Sequence, residues 1–98
     1  MNRDEQISAL RELYAVICSK CYQKKFQLLL TALLARDPNY YQKRQECLHA
    51  LMNVVDNALI LEETDRAVRY LICLEKLIHS LETRMQADQK RYWKHLQS

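Results

Sequence analysis

Cysteine and histidine are the most reactive side chains in this sequence, and their spacing defines the chemistry available. Cys18 and Cys21 stand as Cys-x-x-Cys, a spacing shared by redox centres and zinc sites. The pair lies inside a helical pattern, and the intervening Ser19 and Lys20 do not make a turn. No second Cys-x-x-Cys or His-x3-His completes a zinc set. Cys47 with His49 and Cys73 with His79 would add ligands only where their helices align. The four thiols are therefore expected to be reduced and mostly buried, with no metal and no cofactor, since free cysteine behaves as a small hydrophobe. His79 lacks a nucleophile and a cleft in the pattern around it. Glu62 and Glu63 are adjacent, hence about 100° apart on a helix and poorly placed for paired acid–base work.

Two clusters mix aromatic and basic residues: Tyr40 and Tyr41 with Lys43 and Arg44, and Lys90-Arg91-Tyr92-Trp93-Lys94-His95. Such mixtures stack bases and grip phosphates. They equally anchor protein interfaces, where Trp, Tyr and Arg are enriched. Tyr40 and Tyr41 also suit packing at a helix start. Trp93 is the single tryptophan and follows the fading of the apolar signal, so it either folds back onto the core or belongs to a partner.

An Arg-x4-His pattern occurs at Arg44-Gln-Glu-Cys-Leu-His49. It resembles the short motif of HEPN-domain ribonucleases, small helical dimers whose arginine and histidine act on the RNA backbone. The resemblance covers six residues and implies, as an alternative, a metal-independent ribonuclease acting through Arg44 and His49. The rest of that family's pattern is not evident, and the chain is short for it.

The elements that hold these residues are helical throughout. There is no glycine and one proline in 98 residues. Tight turns and hairpins depend on glycine, so an all-β fold and every glycine-built phosphate loop are excluded. Ile7, Leu10, Tyr14, Ile17 and Cys21 recur at helical spacing after Asn2 or Asp4 as a cap. The apolar set then drifts to Phe26, Leu29, Leu30, Leu33 and Leu34 across the polar Gln23-Lys24-Lys25. The pattern predicts one helix over 4–36 with a drifting stripe, and leaves open a kink near 20–25 that no glycine or proline supports. Asp37-Pro38 predicts a boundary, with Asp37 capping a second helix over 38–61. A third helix over 64–96, capped by Thr64, uses Ala67, Leu71, Leu74, Ile78, Leu81, Met85 and Tyr92 as a seam. Asp88 and His95 also fall on that seam, which places the last turns beyond the core.

The predicted fold is therefore all-α, an antiparallel bundle of three helices in one domain over 1–98, with self-association into a dimer. The outer helices would span ~45–50 Å and the middle one about two-thirds of that. The mismatch leaves apolar surface near one end, and large apolar patches call for a partner. Leu10, Tyr14 and Ile17 on the first helix, with Met85, Tyr92 and Trp93 on the last, are the predicted partner-binding residues.

Charge and targeting narrow the function. The net charge of +3 is too weak to imply nucleic acid. Residues 20–44 carry six basic side chains against Asp37, and residues 50–83 carry three basic against six acidic. From Arg84 onward there are four basic residues against Asp88. An acidic middle between basic ends can pair internally or with a second copy. The charged N-terminus lacks an apolar leader, and the apolar run at 26–35 is too short to span a bilayer, so a cytoplasmic location without membrane contact is expected. The reading that fits best is a small helical protein–protein interaction module of adaptor, assembly-factor or secretion-chaperone type. Its partner is another protein or a second copy, and it is not an enzyme. Compact helical bacterial export chaperones are similar in size and helicity, a resemblance of class only. The alternative is a nucleic-acid-associated regulator using basic residues 20–44 and the C-terminal tail.

Overall fold

The computed structural model describes residues 2–94. Four α-helices and one short 3-10 turn account for nearly all of them: α1 (Arg3–Ser19), the turn Lys20–Tyr22, α2 (Lys24–Arg36), α3 (Pro38–Ile60) and α4 (Thr64–Trp93). No strand occurs among the described residues. The chain is all-α, as the absence of glycine and the apolar spacing predict.

The first predicted helix is two helices, which corrects the continuous 4–36 span. The reason lies in the register of its apolar residues. Ile17 and Cys21 are buried, and an unbroken helix would next turn Lys24, Lys25 and Leu28 inward. Instead the backbone tightens at Lys20–Tyr22 and becomes extended at Gln23 (φ −67°, ψ 137°). The chain thereby rotates so that Phe26, Leu30 and Leu33 face the core while Lys24 and Lys25 stay in water. Gln27 holds the break by donating its side-chain amide to the Cys21 carbonyl. Burial of the correct apolar set thus breaks the helix without glycine or proline.

The other boundaries follow local chemistry. Asn2 caps α1, its Oδ1 accepting from the Glu5 N–H at 2.8 Å, and Asp4 and Glu5 complement the helix dipole. Pro38 opens α3 as expected, although the Asp37 side chain makes no capping hydrogen bond. Glu63, not Thr64, occupies the cap position of α4. Between α3 and α4, Glu62 takes a left-handed conformation (φ 56°). The Glu63 N–H bonds Ala58 O at 2.9 Å and the Glu62 N–H bonds Leu59 O at 3.2 Å. This is a Schellman closure with glutamate where glycine is usual. Glu62→Gly should therefore raise the unfolding free energy by roughly 1 kcal/mol, because the left-handed cost to an L-residue disappears. Denaturant melts beside Glu62→Ala, which keeps the Cβ and should not stabilise, check the expectation.

The chain makes three passes along an elongated body of 57 × 22 × 17 Å. Arg3 donates to the Glu62 carbonyl at 2.8 Å, Lys20 pairs with Glu82 at 3.6 Å, and Arg36 lies over the Tyr92 ring at 4.8 Å. The α1–α2 pass therefore runs parallel to α4. α3 returns against both, with Tyr14 Oη donating to Met52 O at 3.2 Å and Tyr41 Oη reaching Asp88 at 2.6 Å. The core joins Leu33, Tyr41, Val55, Ala67, Leu74, Leu81 and their neighbours.

The middle pass is the shortest, as expected: α3 has 23 residues against 30 in α4 and the 17 and 13 of α1 and α2 laid end to end. What is corrected is the place of the uncovered apolar surface, which lies laterally between α1 and α4 and not at one end of the bundle. Asp88 does not take the last turns out of the core either. It is 2% exposed, held by Tyr41 and by Arg84 Nε at 3.0 Å. His95 lies outside the described residues.

Candidate functional site: the groove between α1 and α4

α1 carries more apolar residues than one core-facing stripe can bury. Ile7, Ile17 and Cys18 point into the core, while Leu13 and Val16 sit to one side. On α4, Leu71, Leu74 and Ile78 point inward while Val68 and Ile72 lie off that seam. Because α1 and α4 run side by side, these off-seam residues converge. Leu13 (45% exposed), Val16 (66%), Val68 (41%) and Ile72 (50%) flank a shallow groove. Its floor includes Leu10, Ile17 and Leu71. Toward the middle of the molecule the groove widens into a concavity of about 540 Å³, lined by Val16, Ile17, Ile78, His79, Glu75 and the Lys20–Glu82 ion pair.

Of the predicted partner-binding residues, Leu10 and Ile17 belong to this groove, Leu10 half-buried and Ile17 in its buried floor. Tyr14 faces the other side of α1, where its hydroxyl is committed to Met52 and its ring packs on the core. Met85 is part of the chain's own core at 2% exposure and is not presented at the surface. Tyr92 and Trp93 fold back and pack against the core, and Arg36 and Arg91 flank the Tyr92 ring at 4.8 and 5.5 Å. The structure thus brings Leu10 and Ile17 together with residues that periodicity alone did not single out: Leu13, Val16, Val68 and Ile72. Their signal was an apolar arc on each helix wider than a single packing partner needs. The other exposed large hydrophobics, Tyr22, Leu28, Ile60 and Leu61, lie on the 3-10 turn, on the outer side of α2, at the end of α3 and on the α3–α4 turn.

The reactive side chains do not assemble. Cys18 and Cys21 are buried, whereas Cys47 and Cys73 are exposed, which corrects the expectation of four mostly buried thiols. Burial pushes the Cys21 thiol up to about 11, with Cys18 and Glu82 adding to the effect. Burial also raises Cys18. Both are therefore neutral, unreactive thiols near neutral pH. An aromatic disulfide reagent at pH 8 should modify two thiols per chain quickly and the other two only on unfolding. Four fast thiols in the native protein would contradict this packing. Among the described residues, no group of three or more His, Cys, Asp or Glu is placed to hold a metal.

Arg44 and His49 are five residues apart on the unbroken α3, about 140° around its axis, so within one chain they do not converge. Arg44 instead lies over the Tyr40 ring at 5.0 Å, and Arg84 covers the same ring at 4.2 Å. One ring of each aromatic–basic cluster is thus engaged by arginines of this chain, Tyr40 by Arg44 and Arg84 and Tyr92 by Arg36 and Arg91, as cation–π pairs. Comparison with protein-family models, curated proteins and solved structures finds no match for this chain. No helix among the described residues is long and apolar enough to cross a membrane.

Proposed function

We propose that this chain is a small helical protein–protein interaction module, of adaptor, assembly-factor or secretion-chaperone type, whose docking surface is the α1–α4 groove. The observation that carries the reading is the convergence of Leu13, Val68 and Ile72 on one groove, which Ile17 and Glu75 connect to the concavity lined by Val16. Single exposed hydrophobics are ordinary on soluble domains, but a contiguous strip with a preformed floor is what an amphipathic helix recognises. The strip lies on two long helices fixed by the core, so docking needs little reorganisation. Capture from extract of the source cells tests the reading. Wild-type protein should retain a discrete set of proteins, and Val16→Asp/Ile72→Asp should lose it with helicity unchanged. Equal retention by both would overturn the assignment of the groove.

A second reading rests on charge segregation. The half of the molecule built from residues 20–48 and 79–94 carries ten Lys and Arg against four Asp and Glu. The other half, residues 2–19 and 49–78, carries five against eight. The basic half suits the phosphate backbone of a nucleic acid. The observation against it is that Tyr40 and Tyr92 already lie beneath this chain's own arginines and offer no open stacking faces. A salt series of RNA and DNA binding separates the readings, because phosphate-driven affinity falls steeply with salt.

A further inference from the structure

Resting on the groove reading, we infer that the groove is closed by a second copy of this chain, across a two-fold axis that runs along the groove and sets α1 of one copy against α4 of the other. The argument is charge complementarity along the two walls. On α1, Glu5, Glu12 and Val16 follow one another at seven and four residues and share one face. On α4, Arg69, Ile72 and Lys76 do the same at three and four. All four charged residues are exposed, and none is in an ion pair among the described residues. The acidic edge therefore borders the apolar strip on one wall and the basic edge borders it on the other.

The register decides how two copies fit. Leu10 and Leu71 share one stretch of groove, and Ile17 and Ile78 share the next, so α1 residues stand level with α4 residues 61 further on. An axis along the groove keeps each height. Glu12 then stands between Arg69 and Lys76 of the second copy, roughly 5 Å along the helix from each at 1.5 Å per residue. Glu5 lies about one turn below Arg69 of the second copy but close to Asp65 there, and Glu75 lines the inside of the groove beside its own α1, so Glu12 against the rim residues Arg69 and Lys76 is the discriminating contact. An axis perpendicular to the helices would instead oppose α1 to α1 and α4 to α4. That arrangement brings acids to acids and bases to bases along both seams, which is destabilising.

Charge reversal tests the geometry, read by sedimentation equilibrium with helicity monitored by circular dichroism. Wild type should dimerise reversibly. Glu12→Lys and Lys76→Glu should each weaken dimerisation about tenfold or more by placing like charges across both seams. An equimolar mixture of the two variants should restore it, because both seams of the mixed dimer again pair opposite charges. The double variant Glu12→Lys/Lys76→Glu should also dimerise. No restoration in the mixture would overturn the proposed axis, as would single variants that dimerise like wild type. Dimers lost only in Val16→Ser/Ile72→Ser would leave the groove as the interface but with another geometry. A wild type that stays monomeric while extract proteins still dock in the groove would overturn the second copy as occupant and leave the interaction module standing.

Discussion

Leu33→Ala is expected to lower the unfolding free energy by about 2–5 kcal/mol, the range for deleting a fully buried leucine side chain. Leu33 has no solvent exposure and joins α2 to the core shared by α3 and α4. The context makes this position more sensitive than its size alone suggests. α2 has 13 residues, begins at a break without a side-chain cap, and is too short to persist alone. Its helicity therefore depends on Phe26, Leu30 and Leu33 being docked. Chemical denaturation should show the loss, and amide exchange should show α2 opening at lower free energy than α3 and α4. Leu28→Ala, on the outer side of the same helix, should cost under about 1 kcal/mol. Equal losses at both positions would mean that α2 is oriented wrongly.

The second large effect is expected at Asp88. Its Oδ2 accepts from Tyr41 Oη at 2.6 Å and from Arg84 Nε at 3.0 Å, inside the joint between α3 and α4. Asp88→Ala leaves the Tyr41 hydroxyl buried without an acceptor and should cost about 2–3 kcal/mol. Arg84 is partly exposed and keeps its place over the Tyr40 ring, which limits the loss on that side. Tyr41→Phe removes the donor but leaves Asp88 paired with Arg84, so about 1 kcal/mol is expected. In a double-mutant cycle the two changes should be strongly non-additive, because each removes the same bond. Burial, reinforced by the bond to Asp88, pushes the Tyr41 phenol above its ordinary range. The unfolded chain therefore ionises this phenol first. Its contribution to stability is complete below pH 10 and is lost progressively as pH rises above that value. Additive costs in the cycle would contradict the bond.

The boundary at Asp37-Pro38 and the all-α class were legible because proline and the lack of glycine act locally. The break at Lys20–Gln23 was written only in the phase of the apolar residues. Gln23-Lys24-Lys25 interrupts the stripe, which fits a drifting helix or a kink until burial is considered: a continuous helix would carry two lysines onto the buried face. Asp88 was visible on the seam as a carboxylate among leucines. Its satisfaction by Tyr41 was not, because the partner is 47 residues away and meets it only through the α3–α4 pairing. Met85 resembles a partner anchor in sequence for the same reason: its burial is supplied by other passes of the chain. The groove was half legible. Leu10 and Ile17 lie on the primary stripe of α1, but Val68 and Ile72 acquire meaning only once α1 is known to run parallel to α4.

Site-specific photo-cross-linking tests the groove most directly. A photoreactive side chain placed at Ile72, and separately at the still more solvent-open Leu28 on α2, should give different outcomes in the native cell. The account predicts one or a few discrete covalent products from position 72, a second copy or another protein, and none from position 28. Products that are the same from both positions, or absent from position 72, would contradict the α1–α4 groove as a docking surface.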